Sequence, residues 1–270
     1  MVKSGHNRTV TLHSLQYSKA DLDAIPDDDR YFFLMATGLA NDTQMLNKAL
    51  AVILDSDEPD CPRIVNQANS AFAMMILRML AGRLNEGWKL LSSFSKVLKV
   101  DYEPNMKDDA QVALKELRRY FNPKGKRSYI LDVRDHVAFH SLRKTVEAAY
   151  ATLPDTDDLG DYLHSQIGNT LYYTTEILHY EVLKNLAGVQ DHATALRMLL
   201  EDTMKQTSNF NTTIYGFAVV FCERFLPVSL QKLENETETI AVGPFGDLKL
   251  SFFSELPIPP GPSSRPRGSA

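Results

Sequence analysis

The 270-residue chain contains only two cysteines, Cys61 and Cys222. Their separation matches no metal-binding spacing and no redox motif, so we expect free or buried thiols in a reducing cytosol. Long apolar runs are also lacking. The richest, residues 71–80, contains Arg78 and is well short of the roughly 20 residues that a membrane span needs. No apolar stretch follows the basic residues 1–11, which argues against a secretory signal. We therefore predict a cytoplasmic protein without a membrane anchor.

Several catalytic and cofactor signatures are missing as well. Lys124-Gly-Lys-Arg127 follows no predicted strand and lacks the glycine spacing of a phosphate-binding loop. No Ser-His-Asp or Cys-His signature occurs. Glu176-Ile-Leu-His179 is the one Glu-x-x-His in the chain, whereas a di-iron carboxylate bundle needs two. We interpret it as a polar helix face or a hydrogen-bonded interior histidine, and we predict neither a metal nor a cofactor.

Apolar residues recur at helical spacing through most of the chain, which predicts an all-α protein, a bundle of about six long helices. Acidic residues 27–29 and Pro62 are typical of helix N termini. Gly188 is typical of a helix stop, and Asp191 and Ser128 of N-caps. The predicted helices span residues 27–54, about 62–100, 106–121, 128–153, 159–187 and 191–226.

One β-like signal lies near the C terminus. Residues 240–242 and 248–253 flank Gly243-Pro-Phe-Gly246, which predicts a short hairpin-like appendage. The residues from Pro257 are rich in proline, serine, glycine and arginine, and we expect them to be disordered. We divide the chain into a lead-in, two helical groups on the same or separate bundles, the β appendage and the tail, at residues 1–26, 27–154, 155–230, 231–256 and 257–270.

Charge is unevenly distributed along the sequence. The chain carries a net charge of −5, but residues 115–144 contain nine Lys or Arg against three acids, which makes this window +6 and the remainder −11. Such segregation is typical of surfaces that meet polyanions. Inside the window, Arg134-Asp-His-Val-Ala-Phe-His140 gathers a guanidinium, a carboxylate and two imidazoles. In one cleft, an imidazole can exchange a proton with a ribose 2′-hydroxyl while the guanidinium holds the phosphate.

The run from Ile130 to His140 resembles the R-polar-x(4–6)-H motif of the HEPN superfamily, whose many RNases are metal-independent and act as dimers in defence, toxin and RNA-processing systems. The resemblance implies that residues 27–154 form a HEPN-like α-bundle. It implies that Arg134 and His140 are catalytic and that Asp135 orients them. The protein would then be a homodimeric endoribonuclease that cleaves RNA through attack of the 2′-hydroxyl. Nonspecific attraction of RNA would come from Arg127, Arg143 and Lys144.

Two alternatives stay open. His136 and His140 share a helix face, so they can begin a metal site if a third ligand comes from elsewhere, such as Asp132, Glu176 or His179. The second alternative is a catalytically silent helical interaction or dimerisation protein, whose basic face docks an acidic partner or keeps the surface solvated. Convergence of Arg134 and His140 in an open cleft would favour the nuclease, and their separation would favour the interaction protein.

Overall fold

A computed structural model describes residues 8–255 except 56–60, 123–127, 139–142, 156–158 and 234–235. Within these residues, six helices are ten residues or longer, which confirms the predicted all-α bundle. The helices are α1 (Lys19–Asp23), α2 (Asp27–Leu54), α3 (Arg63–Ser93), α4 (Ser95–Val97), α5 (Asp108–Phe121), α6 (Tyr129–Val133), α7 (Arg143–Thr152), α8 (Tyr173–Ala187), α9 (His192–Phe225) and α10 (Pro227–Lys232). Two strands, β1 (Arg8–His13) and β2 (Thr237–Val242), form an antiparallel sheet.

Several helix ends lie where the sequence predicts them. Pro62 is the residue before α3, and its extended backbone directs the chain into the first turn. The acidic residues 27–29 occupy the first turn of α2, where the helix dipole stabilises negative charge. Gly188 ends α8 with a φ of +67°, a conformation that glycine adopts without steric cost. The Asp191 side chain accepts a hydrogen bond from the Thr194 backbone N–H at 2.8 Å and caps α9.

Three predicted helices are shorter or more broken than expected. α3 ends at Ser93, and a π-helical turn at Leu98–Tyr102 follows the short α4. The helix predicted over 128–153 is divided into α6, a π-helical turn at Arg134–Ala138, and α7, with residues 139–142 outside the described part. Ser128 precedes α6, but its side chain makes no capping hydrogen bond there.

The prediction of a helix from residue 159 is wrong, because α8 begins only at Tyr173. The preceding segment folds back on itself through a β-bridge between Tyr162 and Leu171, with a 3-10 turn at Ile167–Asn169. Leu171 packs in a small apolar cluster with Ala68 and Ala71 of α3. This contact joins residues that are far apart in the sequence, and it outweighs the local helix propensity of the segment before α8.

The β appendage is present, but β2 pairs with a different partner from the one predicted. Its neighbour is β1, in a register from Arg8 opposite Val242 to His13 opposite Thr237. Residues 248–253 form no strand with β2. Residues 248–250 lie beside α2, whereas Phe252 and Phe253 contact the small apolar cluster. Burial of two aromatic rings favours this position over an exposed hairpin. The tail from Pro257 lies outside the described residues.

Helix α9 is the centre of the bundle and packs against α2, α3, α5 and α8. One apolar core extends from Ile25 to Leu226 and includes side chains from helices before and after residue 159. Its aromatic centre joins α2 to α9, with the rings of Phe32 and Phe217 4.6 Å apart and those of Phe33 and Phe221 stacked at 4.1 Å. The helices that bear the candidate site are therefore fixed to a single core.

Candidate functional site

Helix α6 directly precedes Arg134 and is held by a hydrogen bond from its backbone and by its own buried side chains. The Tyr120 hydroxyl on α5 donates to Asp202 of α9 at 2.8 Å and accepts from the Ile130 backbone N–H at 3.3 Å. Burial, and then the charge of Asp202, raise the pKa of Tyr120, so this hydroxyl keeps its proton. Ile130 and Val133 of α6 are fully buried. These contacts fix the backbone from which Arg134 projects.

Arg134 begins the π-helical turn that packs against α3, and π-helical turns are frequent at functional sites. Its side chain is 26% exposed. Nη1 donates to Asp135 Oδ1 at 2.6 Å, and Nη2 lies 3.8 Å from Glu86 Oε1 on α3. The guanidinium therefore lies between two carboxylates, one of which belongs to the motif itself. This arrangement orients Arg134 and offsets its charge.

The other residues predicted for the site lie apart from this turn or outside the described residues. His140 and Arg127 are among the latter. Arg143 and Lys144 form the exposed first turn of α7, where Arg143 Nε donates to Glu147 Oε1 at 2.6 Å. The structure thus brings Arg134 and Asp135 together and places Arg143 beside an acid that the charge window did not include.

The basic window is partly neutralised in three dimensions. Arg118 makes two hydrogen bonds to Glu103, at 2.7 and 2.9 Å. Two further acids from outside the window, Glu86 and Glu147, lie 3.8 Å from Arg134 and 2.6 Å from Arg143. Exposed ion pairs contribute little to stability, but each one weakens the local positive field. The +6 charge counted in the sequence therefore overstates the attraction for a polyanion.

The proposed third metal ligands have other partners. Glu176 and His179, on α8, contact Arg78 of α3, whose Nη1 donates to His179 Nδ1 at 2.8 Å. His179 is thus a mostly buried, hydrogen-bonded histidine, as predicted from its sequence context. Over the residues that the structure describes, no group of three or more His, Cys, Asp or Glu side chains is arranged to hold a metal ion.

Next to Arg134, a surface groove of about 640 Å³ runs between α2 and α3. Gly38 forms its floor, and a Cβ built on Gly38 would meet no atom within 4 Å. Glu86, which lies near Arg134, is also part of the wall. Apart from the polar Ser93, the other lining residues are apolar or paired in charge: Leu34, Met35, Leu39, Asp42, Arg83, Lys89 and Leu90.

Sequence reasoning predicted α2 from the spacing of its apolar residues but missed this groove. The sequence feature that indicates exposed apolar side chains is the unbroken run from Tyr31 to Met35, because one face of a helix cannot bury five consecutive side chains. Phe32 and Phe33 enter the core, whereas Tyr31, Leu34 and Met35 are 43–54% exposed. The glycine at position 38, in the middle of a helix, was the second signal.

These features define a helical bundle with an apolar surface groove beside an arginine held by two acids. No protein-family model, curated protein or solved structure matches the chain. Across the described ranges, no helix combines the length and the apolar character needed to cross a membrane.

Proposed function

We propose that the protein is a helical interaction protein that forms a homodimer through the groove between α2 and α3. The observation that carries this proposal is the exposure of Leu34 and Met35 along the groove. Contiguous exposed apolar side chains with a charged rim are typical of protein interaction sites. Two bulky side chains of the same run, Phe32 and Phe33, already fill the core, so folding of the monomer leaves Leu34 and Met35 in water.

The charges of the groove favour a second copy of the chain as the partner. Asp42 and Arg83 lie at one end, with Arg83 Nε 3.2 Å from Asp42 Oδ2. Lys89 lies nearer the other end, and its Nζ is 2.9 Å from Glu86. A two-fold axis near Gly38 would set Lys89 of each copy towards Asp42 of the other, which is a self-complementary contact. The groove has two acids and two bases, so it has no net charge to attract a polyanion.

Gly38 supports the same arrangement. A glycine inside a helix destabilises it by about 0.5–1 kcal/mol relative to alanine. No atom of the chain occupies the space that a Cβ at Gly38 would fill. The packing of the monomer therefore does not require glycine here, whereas close approach of a partner helix does.

We expect Gly38→Gln to weaken dimerisation by about tenfold or more, because a polar side chain would fill the floor of the groove. The same change should leave the fold intact, since the Cβ has open space. Sedimentation equilibrium of the wild type and the variant measures the dissociation constant. Met35→Lys should act in the same direction by placing a charge in the apolar contact.

The matched control is Val112→Lys, at a position on α5 that is 60% exposed and outside the groove. It should leave the dimer unchanged. A wild type that sediments as a monomer, or a Gly38→Gln variant that dimerises as tightly as the wild type, would contradict the proposal.

The proposal places the dimer in the cytoplasm. Cys61 and Cys222 are both free thiols. A reducing compartment keeps thiols in this state, which favours the cytoplasm over an oxidising compartment.

A second candidate function is a metal-independent endoribonuclease, favoured by the partial exposure of Arg134 at a π-helical turn beside the groove. In the proposed dimer, the two Arg134 side chains would lie along the edges of one interface. His140 would act as general base or acid at the ribose 2′-hydroxyl, with Arg134 holding the phosphate and Asp135 orienting it. Attraction of the RNA backbone would come from Arg127, Arg143 and Lys144.

We expect a nuclease to leave RNA ends with a 2′,3′-cyclic phosphate in the presence of EDTA. His140→Ala should lower the cleavage rate by about 100-fold or more, the usual contribution of general acid–base catalysis. His164→Ala, at an exposed position on the Tyr162–Leu171 segment, is the control and should cleave as the wild type does. Equal cleavage by the wild type and His140→Ala, or none by either, would eliminate the nuclease.

A further inference from the structure

Three polar side chains meet where α3 contacts α8. Arg78 Nη1 donates to His179 Nδ1 at 2.8 Å, and Arg78 Nη2 lies 3.6 Å from Glu176 Oε1. All three side chains are only 14–21% exposed. Burial acts to raise the pKa of Glu176, but contact with His179 and the charge of Arg78 outweigh it and lower this pKa. A guanidinium and a charged carboxylate therefore lie side by side, largely removed from water.

This cluster borders a cavity of about 290 Å³. The rest of the lining is mostly apolar and comes from α3, the Tyr162–Leu171 segment and the chain near Phe252. Asn169 holds the chain near Phe252 in place. Its Nδ2 donates to the Ser254 carbonyl at 2.7 Å, and its Oδ1 accepts from the Ser254 N–H at 3.1 Å. The main apolar side chains are Ala71, Phe72, Met75, Leu171 and Phe252.

Arg78 and Glu176 keep hydrogen-bonding capacity that they do not use on each other. The separation of 3.6 Å between Arg78 Nη2 and Glu176 Oε1 is too long for a hydrogen bond. Glu176 Oε2 is buried and lies 3.3 Å from His179 Nδ1, but this nitrogen accepts from Arg78 Nη1 and therefore has no proton to donate to Glu176. A buried carboxylate that lacks donors is unfavourable, so a ligand that supplies a donor to Glu176 would be stabilised there.

We propose that this cavity binds a small α-amino acid with an apolar side chain. Its ammonium group would donate to the Glu176 carboxylate, which lines the cavity, and its carboxylate would accept from Arg78 Nη2. Its side chain would lie against Phe72, Met75 and Phe252. The adjacent positive and negative groups of the site match the adjacent ammonium and carboxylate of the ligand, and the apolar wall selects against charged side chains. This site is separate from the groove between α2 and α3.

Isothermal titration with L-leucine, L-methionine and L-phenylalanine tests the proposal. At least one should give saturable heat. Its N-acetyl derivative, which lacks the ammonium, and its amide, which lacks the carboxylate, should each bind about tenfold or more weakly. Arg78→Gln and Glu176→Gln should reduce affinity for the free amino acid to a similar degree, whereas Arg197→Gln, at an exposed position on α9, should not.

Met75→Trp tests the cavity without disturbing the ion cluster. Met75 is 38% exposed and lines the cavity, so the larger ring can fill it while the fold is kept. Binding should be lost, and the melting temperature without ligand should stay near that of the wild type. Met79→Trp, one turn further along α3 and 42% exposed, lies outside the lining and should bind normally. No heat with any of the three amino acids, equal binding of the blocked derivatives, or wild-type binding by Met75→Trp would each overturn the proposal.

Discussion

Gly216→Val is expected to lower the free energy of unfolding by about 3 kcal/mol, the upper part of the usual range for overpacking a core. A Cβ built on Gly216 would overlap the Cβ of Ala110 on α5 and lie 3.3 Å from Cε of Met106. The Cβ of Ala110 is fixed to its backbone and cannot rotate away. Helices α5 and α9 would therefore have to separate along a contact that belongs to the central core.

Urea unfolding followed by circular dichroism measures the change, and an unaltered slope would show that only stability has changed. The control is Gly38→Ala, also inside a long helix but facing open space. In dilute protein, below the dissociation constant of the proposed dimer, it should raise stability by about 0.5–1 kcal/mol, because alanine has the higher helix propensity. A Gly216→Val variant as stable as the wild type would show that α5 and α9 do not approach each other so closely.

The two expectations have opposite signs, although both positions read alike in the sequence. Each is a single glycine in an apolar helix, and local propensity assigns both the same penalty. The difference is tertiary, since Gly216 faces Ala110 whereas Gly38 faces solvent. The spacing of apolar residues predicted which helices form, because each helix must bury one face. It did not predict which faces come close enough to require glycine.

The β appendage was likewise predicted only in part. The chemistry of residues 240–242 was enough to predict a strand, but β1 and β2 are exposed along nearly their whole length. Burial then gives no preference for one register or one partner over another. The choice of β1 instead of residues 248–253 depends on Phe252 and Phe253, which bury their rings against residues more than 80 positions away. Such a contact leaves no periodic trace in the sequence.

Prediction of the candidate site was also limited, because several partners of its residues lie far away in the sequence. A window of residues 115–144 counts local charge but omits the partners that folding supplies, namely Glu86, Glu103 and Glu147. The motif itself predicted the contact between Arg134 and Asp135, since adjacent residues need no tertiary information. Glu176 and His179 were interpreted as a polar helix face or a hydrogen-bonded interior histidine, but their partner Arg78 was not predicted because it lies about 100 residues earlier.

A buried carboxylate on α8 has the other large expected effect. Glu181 is fully buried, and its Oε2 lies 2.7 Å from Lys184 Nζ and 2.8 Å from His192 Nε2 at the start of α9. Glu181→Gln removes the charge that both groups face, and we expect it to lower the free energy of unfolding by about 3 kcal/mol at neutral pH. Glu201→Gln, whose exposed carboxylate pairs with Arg197, is the control and should change it by less than about 0.5 kcal/mol.

The same carboxylate should make stability depend on acidity. Burial acts to raise the pKa of Glu181, but hydrogen bonds from Lys184 and His192 outweigh it, so the folded-state pKa lies below the ordinary value of 4.5. A lowered folded pKa means that the unfolded chain binds the proton more tightly. The stabilisation is therefore fully present above about pH 4.5 and is lost as the pH falls through the folded pKa. Urea unfolding of the wild type should show this loss on acidification, and Glu181→Gln should show a shallower one. An equally steep loss in both proteins would assign the acid sensitivity to other carboxylates, of which Glu176 is the first to test because its pKa is also lowered.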